Sequence, residues 1–187
     1  MRLGTALALE LRSSGTVKAE ADPWPTVDAI LRGKQKPPQP SYVEDLKATR
    51  ETWTSLPDER RALLKLLSRF ALTSEQALRW FEPKERFKAT TAKVSDAEIL
   101  ANPYRMSEVD LGDRNDSPVS VGLIDRGLLP DATITAKHPV PTPSRVGSPN
   151  DARRLRGALV AVLREASDNG DAILSVTEAL QRVGSQD

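Results

Sequence analysis

The segment 58-DERRALLKLLSRFALTSEQALRWF-81 decides the fold, because it carries the densest helical apolar periodicity in the chain with a break in its middle. Leu63, Leu66, Leu67 and Phe70 recur at the three-and-four spacing of one helical face. Pro57 stands at the first helical position, where its missing N–H leaves no bond unmade. Ala71 and Leu72 lead into Thr73, which with Gln76 forms a T-x-x-Q capping box that restarts the helix. Ala77, Trp80 and Phe81 make a second apolar stripe. The segment therefore reads as a helix, a turn of two or three residues and a second short helix. Such a pair is plain packing in many proteins, and in others it presents a turn or a helix N-terminus to nucleic acid.

The same signals recur on either side of this hairpin. Leu3, Leu7 and Leu11 space an N-terminal helix that Gly15 stops, and Thr26 is expected to cap a brief helix over 27–32, closed by Gly33. The run 34-KQKPPQP-40 is extended and exposed. Ser41 with Glu44 boxes a helix to about Trp53 that turns Val43, Leu46 and Trp53 inward and Lys47 and Arg50 outward. Ser95 with Glu98 boxes another, which breaks at Asn102-Pro103. Ser117-Pro118 opens a short helix through Val121 and Ile124 to Gly127, and a short strand is expected at 132–135 inside a proline-rich connection. Asp151 opens the longest helix, to about Asp168, with Leu155, Leu159, Val162, Leu163 and Ala166 as its buried stripe. An extended piece at 172–174 precedes a last helix, boxed by Ser175 and Glu178 and burying Val176, Ala179, Leu180 and Val183. The expected fold is all-α: a helical bundle with a helix-hairpin-helix-like unit and a partial winged-helix-like C-terminal unit. Its expected parts are 1–40, N-terminal helices and linker; 41–129, the hairpin domain; 130–149, the proline-rich connection; and 150–187, the C-terminal unit.

Composition narrows the chemistry. The chain has 187 residues, 39% apolar and 28% charged, which is globular. Only three Trp, two Tyr and three Phe leave the core to Leu, Ala and Val, which suits helices. The net charge of +1 means that a polyanion partner is met by a local patch and not by the whole surface. With no cysteine and a single histidine, His138, the chain lacks the means for disulfides, thiolate catalysis, the usual structural zinc sites and a histidine triad. The opening MRLGTALALEL is interrupted by Glu10 and reads as a helix, not a signal peptide, and no run reaches the 18 or so apolar residues of a membrane span. A soluble, cytoplasmic protein is expected. Asp110, Asp113 and Asp116 suggest calcium, but the sixth loop position counted from Asp113 is Pro118 where an EF-hand needs glycine, so they read as solvated loop carboxylates and no metal is expected. The most basic run is 84-KERFKATTAK-93, with Lys84, Arg86, Lys88 and Lys93 against Glu85. It is either a solvated loop or a nucleic-acid contact.

Taken in order, these pieces resemble the N-terminal extension of RecD-like ATP-dependent DNA helicases. The resemblance rests on F-x-L-T-x-x-x-A over 70–77, the basic connector, E-I-L-x-N-P-Y over 98–104, D-x-R-R-x-R over 151–156 and G-D-x-x-L-S over 170–175. Two departures stand out. Ala71 occupies a turn position that is usually glycine in such helicases, which weakens a backbone-amide grip on phosphate there, and 110–150 has no counterpart. The resemblance implies a non-catalytic region that binds and positions single-stranded or forked DNA in repair or recombination. Thr73, Ser74, Arg79, Lys84, Arg86, Lys88, Lys93, Arg105, Arg153, Arg154 and Arg156 are the residues that would meet DNA, while Asn102, Pro103 and Tyr104 form a structural motif. A helicase also needs a P-loop, and the one Gly-Lys pair, Gly33-Lys34, is followed by Gln35 and preceded at the required distance by Asp28. No catalytic residue is therefore assigned. ATP and Mg²⁺ are expected only with a motor outside this chain, and the chain itself is expected to be a piece of such a helicase, with the rest of that polypeptide as partner. A protein-interaction scaffold, docking on the motor or a repair partner, is the alternative.

Overall fold

The computed structural model describes residues 7, 10–18, 21–113 and 116–185, and the fold is all-α. Its residues divide into two units, one of 1–61 with 132–139 and one of 62–131 with 140–187. Leu3 of the expected N-terminal helix lies outside the described residues. Among those described, no helix is long and apolar enough to cross a membrane.

In the first unit, α1 (Trp24–Leu31) starts three residues earlier than the expected Thr26 cap requires. Pro23 takes the N-cap position with another proline in the first turn, so fixed φ angles and not a side-chain oxygen set the start. Trp24 stacks on Trp53 of α2 (Val43–Ser55), with ring centroids 6.2 Å apart and planes 8° from parallel. The Trp53 indole N–H donates to Asp28 at 3.0 Å, and Asp28 also receives Arg32 at 2.8 Å. The Ser41–Glu44 box is not made. A 3₁₀ turn over Pro40–Tyr42 opens α2 instead, Ser41 donates to Gln39, and Val43 remains 38% exposed. The Arg61 guanidinium satisfies the carbonyls of Trp53 and Leu56 at the other end of α2. The expected strand at 132–135 is helical, within α9 (Ala132–Lys137). Thr133, Ile134 and Thr135 favour extended backbone, but a strand needs a neighbour to satisfy its ladder, whereas a helix satisfies itself.

The second unit begins within α3 (Asp58–Leu67), whose Leu63, Leu66 and Leu67 join Phe70, Trp80, Ile99, Tyr104, Met106, Ile124 and Leu128 in one core. The connection to α4 (Ser74–Phe81) takes six residues, 68–73, and not two or three. The reason is Phe70, which leaves the helix to bury itself. Gly127 at the end of α8 (Val121–Leu128) lies against that turn so closely that a Cβ would come within 2.6 Å of the Phe70 ring and 2.7 Å of the Arg69 carbonyl oxygen. α4 opens on the full Thr73–Gln76 capping box and α6 (Asp96–Ala101) on the full Ser95–Glu98 box. The backbone amide and hydroxyl of Ser95 hold the Glu98 carboxyl below its usual range. Between them, α5 (Pro83–Lys88) occupies the start of what reads as a connector. α7 (Arg105–Val109) follows Asn102-Pro103, and the one strand-like contact among the described residues is an isolated bridge between Thr90 and Asp110.

The long helix α10 (Ala152–Asp168) buries Val162 and Ala166 of the expected stripe, with Leu159 packed beside them, but turns Leu155 and Leu163 outward. Arg154, Gly157, Ala158, Val162 and Ala166 point inward, leaving Leu155 and Leu163 38% and 46% exposed. Small residues win this face because α10 runs close to α7: a Cβ on Gly157 would lie 3.1 Å from the Ser107 hydroxyl and 3.3 Å from Tyr104 Cβ. α11 (Val176–Gly184) packs Ala179 and Val183 inward, and Val176 and Leu180 stay exposed. The segment before it pairs with no strand among the described residues.

Candidate nucleic-acid interface

Short helices leave a large share of their carbonyls unpaired, since the last four of each have no partner within the helix. In this protein arginines from elsewhere fill that need. Arg86 donates from Nε and Nη2 to the Trp80 carbonyl at 3.0 and 2.6 Å, closing the C-terminus of α4, and from Nη1 to Val94 at 3.0 Å. It also pairs with Asp96 at 2.8 Å. Arg153 donates to the Ala101 carbonyl at the end of α6, and to those of Pro143 and Arg145. Arg164 serves the carbonyls of Ser107, Glu108 and Asp110 at the end of α7. A cation placed there also meets the negative end of the helix dipole, worth about 0.3–1 kcal/mol per site.

Arg79 and Arg154 are used differently, as buried ion-pair centres. Arg79 is 5% exposed and pairs with Asp110 at 3.0 Å, Asp116 at 3.3 Å and Asp113 at 3.6 Å. Asp110 Oδ2 also accepts from the Trp80 indole and the Val119 amide, and Oδ1 from the Gly112 amide. Thr73 donates to Asp116. Asp110 and Asp116 thus close on a guanidinium, which corrects their reading as solvated carboxylates, while Asp113, 50% exposed, remains at the solvent edge. Gly112 makes the loop feasible with φ +66°, where a Cβ would lie 2.8 Å from the Asp116 carbonyl oxygen. Arg154 donates to Asp125 at 2.9 Å, and the fully buried Tyr104 hydroxyl donates to the other oxygen of that carboxylate at 2.6 Å. Burial, then Asp125, pushes the Tyr104 phenol far above its usual range. Pro103 is buried beside it, while Asn102 ends α6 through its backbone, and its side-chain oxygen has no donor among the described residues.

The eleven residues expected at DNA therefore separate. The guanidiniums of Arg79, Arg86 and Arg154 are buried and occupied inside the second unit, so the expectation that they face DNA is revised, while the partly exposed Arg153 spends its donors on Asp151 and backbone carbonyls. Arg105 pairs with the buried Glu108 at 2.7 Å, and the exposed Arg156 reaches the same carboxylate at 3.3 Å. Ser74 is exposed in the first turn of α4. Lys84, Lys88 and Lys93 remain exposed. On α5, Lys84 and Lys88 are four residues apart and share a face with Phe87, which is 70% exposed, because Arg86 on the opposite side anchors the helix. Phe87 was missed from sequence, although its position between two lysines, three residues after one and directly before the other, was visible there. Beside α5 lies a groove of about 340 Å³ lined by Glu75, Leu78, Arg79, Glu85, Lys88 and Asp113, among others.

No group of three or more metal-ligating side chains occurs among the described residues. Comparison of the chain with family models, with curated proteins and with solved structures finds no match.

Proposed function

We propose that this chain is a non-catalytic DNA-binding and positioning region of the RecD-like helicase type, acting on single-stranded or forked DNA in cytoplasmic repair or recombination beside an ATP- and Mg²⁺-dependent motor. The observation that carries the reading is the α5 face, an aromatic ring exposed between two lysines and followed by Lys93. An exposed ring supplies a stacking surface that every base accepts, and flanking ammonium groups follow the phosphates without regard to sequence, as a moving motor requires. Fluorescence anisotropy with labelled single-stranded and forked oligonucleotides tests it. Phe87→Ala is expected to weaken single-strand binding about tenfold or more, in line with roughly 1–3 kcal/mol per stacked base. Lys84→Glu with Lys88→Glu lowers the salt slope by about 0.7 for each phosphate that the protein no longer neutralises. Unchanged affinity and slope in both variants refute the reading.

Protein docking is the second reading, supported by Ile173, Val176 and Leu180, which are 90%, 76% and 62% exposed along one side of the C-terminal segment. Serine at these three positions would leave DNA affinity unchanged and abolish capture of the motor.

A further inference from the structure

The groove beside the α5 platform has the opposite electrostatic character to the platform itself. Glu75, Glu85 and Asp113 all line it. The positive charge of Arg79 is already shared among Asp110, Asp113 and Asp116, and Lys88 is paired with Glu85 at 2.8 Å. A phosphate entering this groove meets carboxylates that can only accept hydrogen bonds. An N–H-bearing group meets matched acceptors. Leu78, 51% exposed, and Ala89 add an apolar wall, and about 340 Å³ lies at the small end of the roughly 300–1,000 Å³ typical of small-ligand sites. Lys88 belongs to both surfaces, and its pair with Glu85 is exposed and weak, so a strand whose phosphates draw Lys88 away passes the mouth of an acidic, partly apolar notch in which Glu85 is left as an acceptor.

Resting on the proposed single-strand reading, we infer that the groove receives one splayed base bearing an exocyclic amino group, which cytosine, adenine and guanine have and thymine lacks. The carboxylates take the N4, N6 or N2 amino hydrogens, while the base face lies on Leu78. Thymine presents carbonyl oxygens where these bases present the amino group, and it is disfavoured there. The protein then carries a base preference within an otherwise sequence-tolerant contact.

The test is anisotropy with labelled homopolymers of about 15 nucleotides, long enough to cover a single-strand site. Oligo-dC and oligo-dA are expected to bind about fivefold more tightly than oligo-dT, within the range of one or two base-edge hydrogen bonds. Glu75→Gln with Glu85→Gln should bring the ratio close to one without weakening the oligo-dT complex; circular dichroism checks that the variant is folded. Equal, salt-sensitive affinity for all three homopolymers overturns the base preference and leaves the platform reading intact. A preference that persists in the double variant overturns the assignment to this groove. Absence of binding to any oligonucleotide overturns both readings, and Glu75-dependent binding of a hexa-arginine peptide in that case assigns the groove to a basic protein segment.

Discussion

Replacing Asp110 by alanine removes the carboxylate on which four separate donors converge inside the second unit. Its side chain is fully buried, opposite an Arg79 side chain that is 5% exposed. Breaking a buried pair by deleting one partner costs about 3–5 kcal/mol, because the surviving charge loses its counterion in a medium that does not solvate it. Two features move the value within that range. Asp116 at 3.3 Å and Asp113 at 3.6 Å still face Arg79, which reduces the penalty. The Trp80 indole N–H and the Val119 amide, at 3.1 and 2.9 Å, lose their acceptor, and a buried donor left unpaired costs about 1–3 kcal/mol. The expected loss is about 3–4 kcal/mol, a large part of the roughly 5–15 kcal/mol that holds a domain folded. Asp116→Ala, removing a carboxylate only 10% exposed that also accepts from Thr73, should cost about 1–3 kcal/mol, and Asp113→Ala, 50% exposed at 3.6 Å, close to nothing. Urea titration followed by far-ultraviolet circular dichroism and by tryptophan fluorescence measures the order. A loss under about 1 kcal/mol for Asp110→Ala, or equal losses at Asp110 and Asp113, would refute the argument that burial of the pair sets its value.

Arg153→Gln and Arg156→Gln separate the two kinds of arginine on α10. The first removes bonds to Asp151 and to three carbonyls and should lower stability by about 1–2 kcal/mol. The second, on a 68% exposed side chain, should stay within about 0.5 kcal/mol in the same titration. Acid should weaken the second unit through Asp151, whose carboxyl is held below its usual range by hydrogen bonds from the Arg153 side chain, and through Glu98. Because both folded-state pKa values are depressed, the unfolded chain takes up protons first, so this contribution is complete above about pH 5 and is lost as pH falls through the folded values. Asp151→Asn should therefore flatten the stability profile below about pH 4, and an identical acid limb in wild type and variant would count against the assignment.

Local chemistry was legible in the sequence, and long-range chemistry was not. The boxes at Thr73 and Ser95 need only residues three apart, so their side chains form the expected bonds. The box at Ser41 has the same letters, but three prolines just before it steer the chain into a 3₁₀ turn. The buried face of α10 could not be read from its leucines, because the close approach to α7 demands Gly157 and Ala158 and turns Leu155 and Leu163 outward. Nor could a charge run reveal that Arg79 meets carboxylates 31 and 37 residues away, or that Arg164 reaches carbonyls more than fifty residues back. A positive side chain in sequence has no visible partner until the fold supplies one. For the candidate site, the surviving lysines were visible in the basic run, whereas the aromatic ring between them gained meaning only once Arg86 fixed which side of α5 faces solvent.

The use of arginine as a closing clip for other helices sets how this sequence can drift. At Lys84, Lys88 and Lys93 a positive charge on a flexible stem suffices, so exchange for arginine preserves the surface field. At Arg86 one planar fork reaches the carbonyls of Trp80 and Val94 and the carboxylate of Asp96 at once. A lysine there keeps the charge but cannot span those acceptors from a single ammonium, and the same holds for Arg153 and Arg164. Descendants of this chain are free to interchange the two cations on the outside and are confined to arginine within. A count of positive charge along the sequence treats as equivalent positions that differ in how much variation they tolerate.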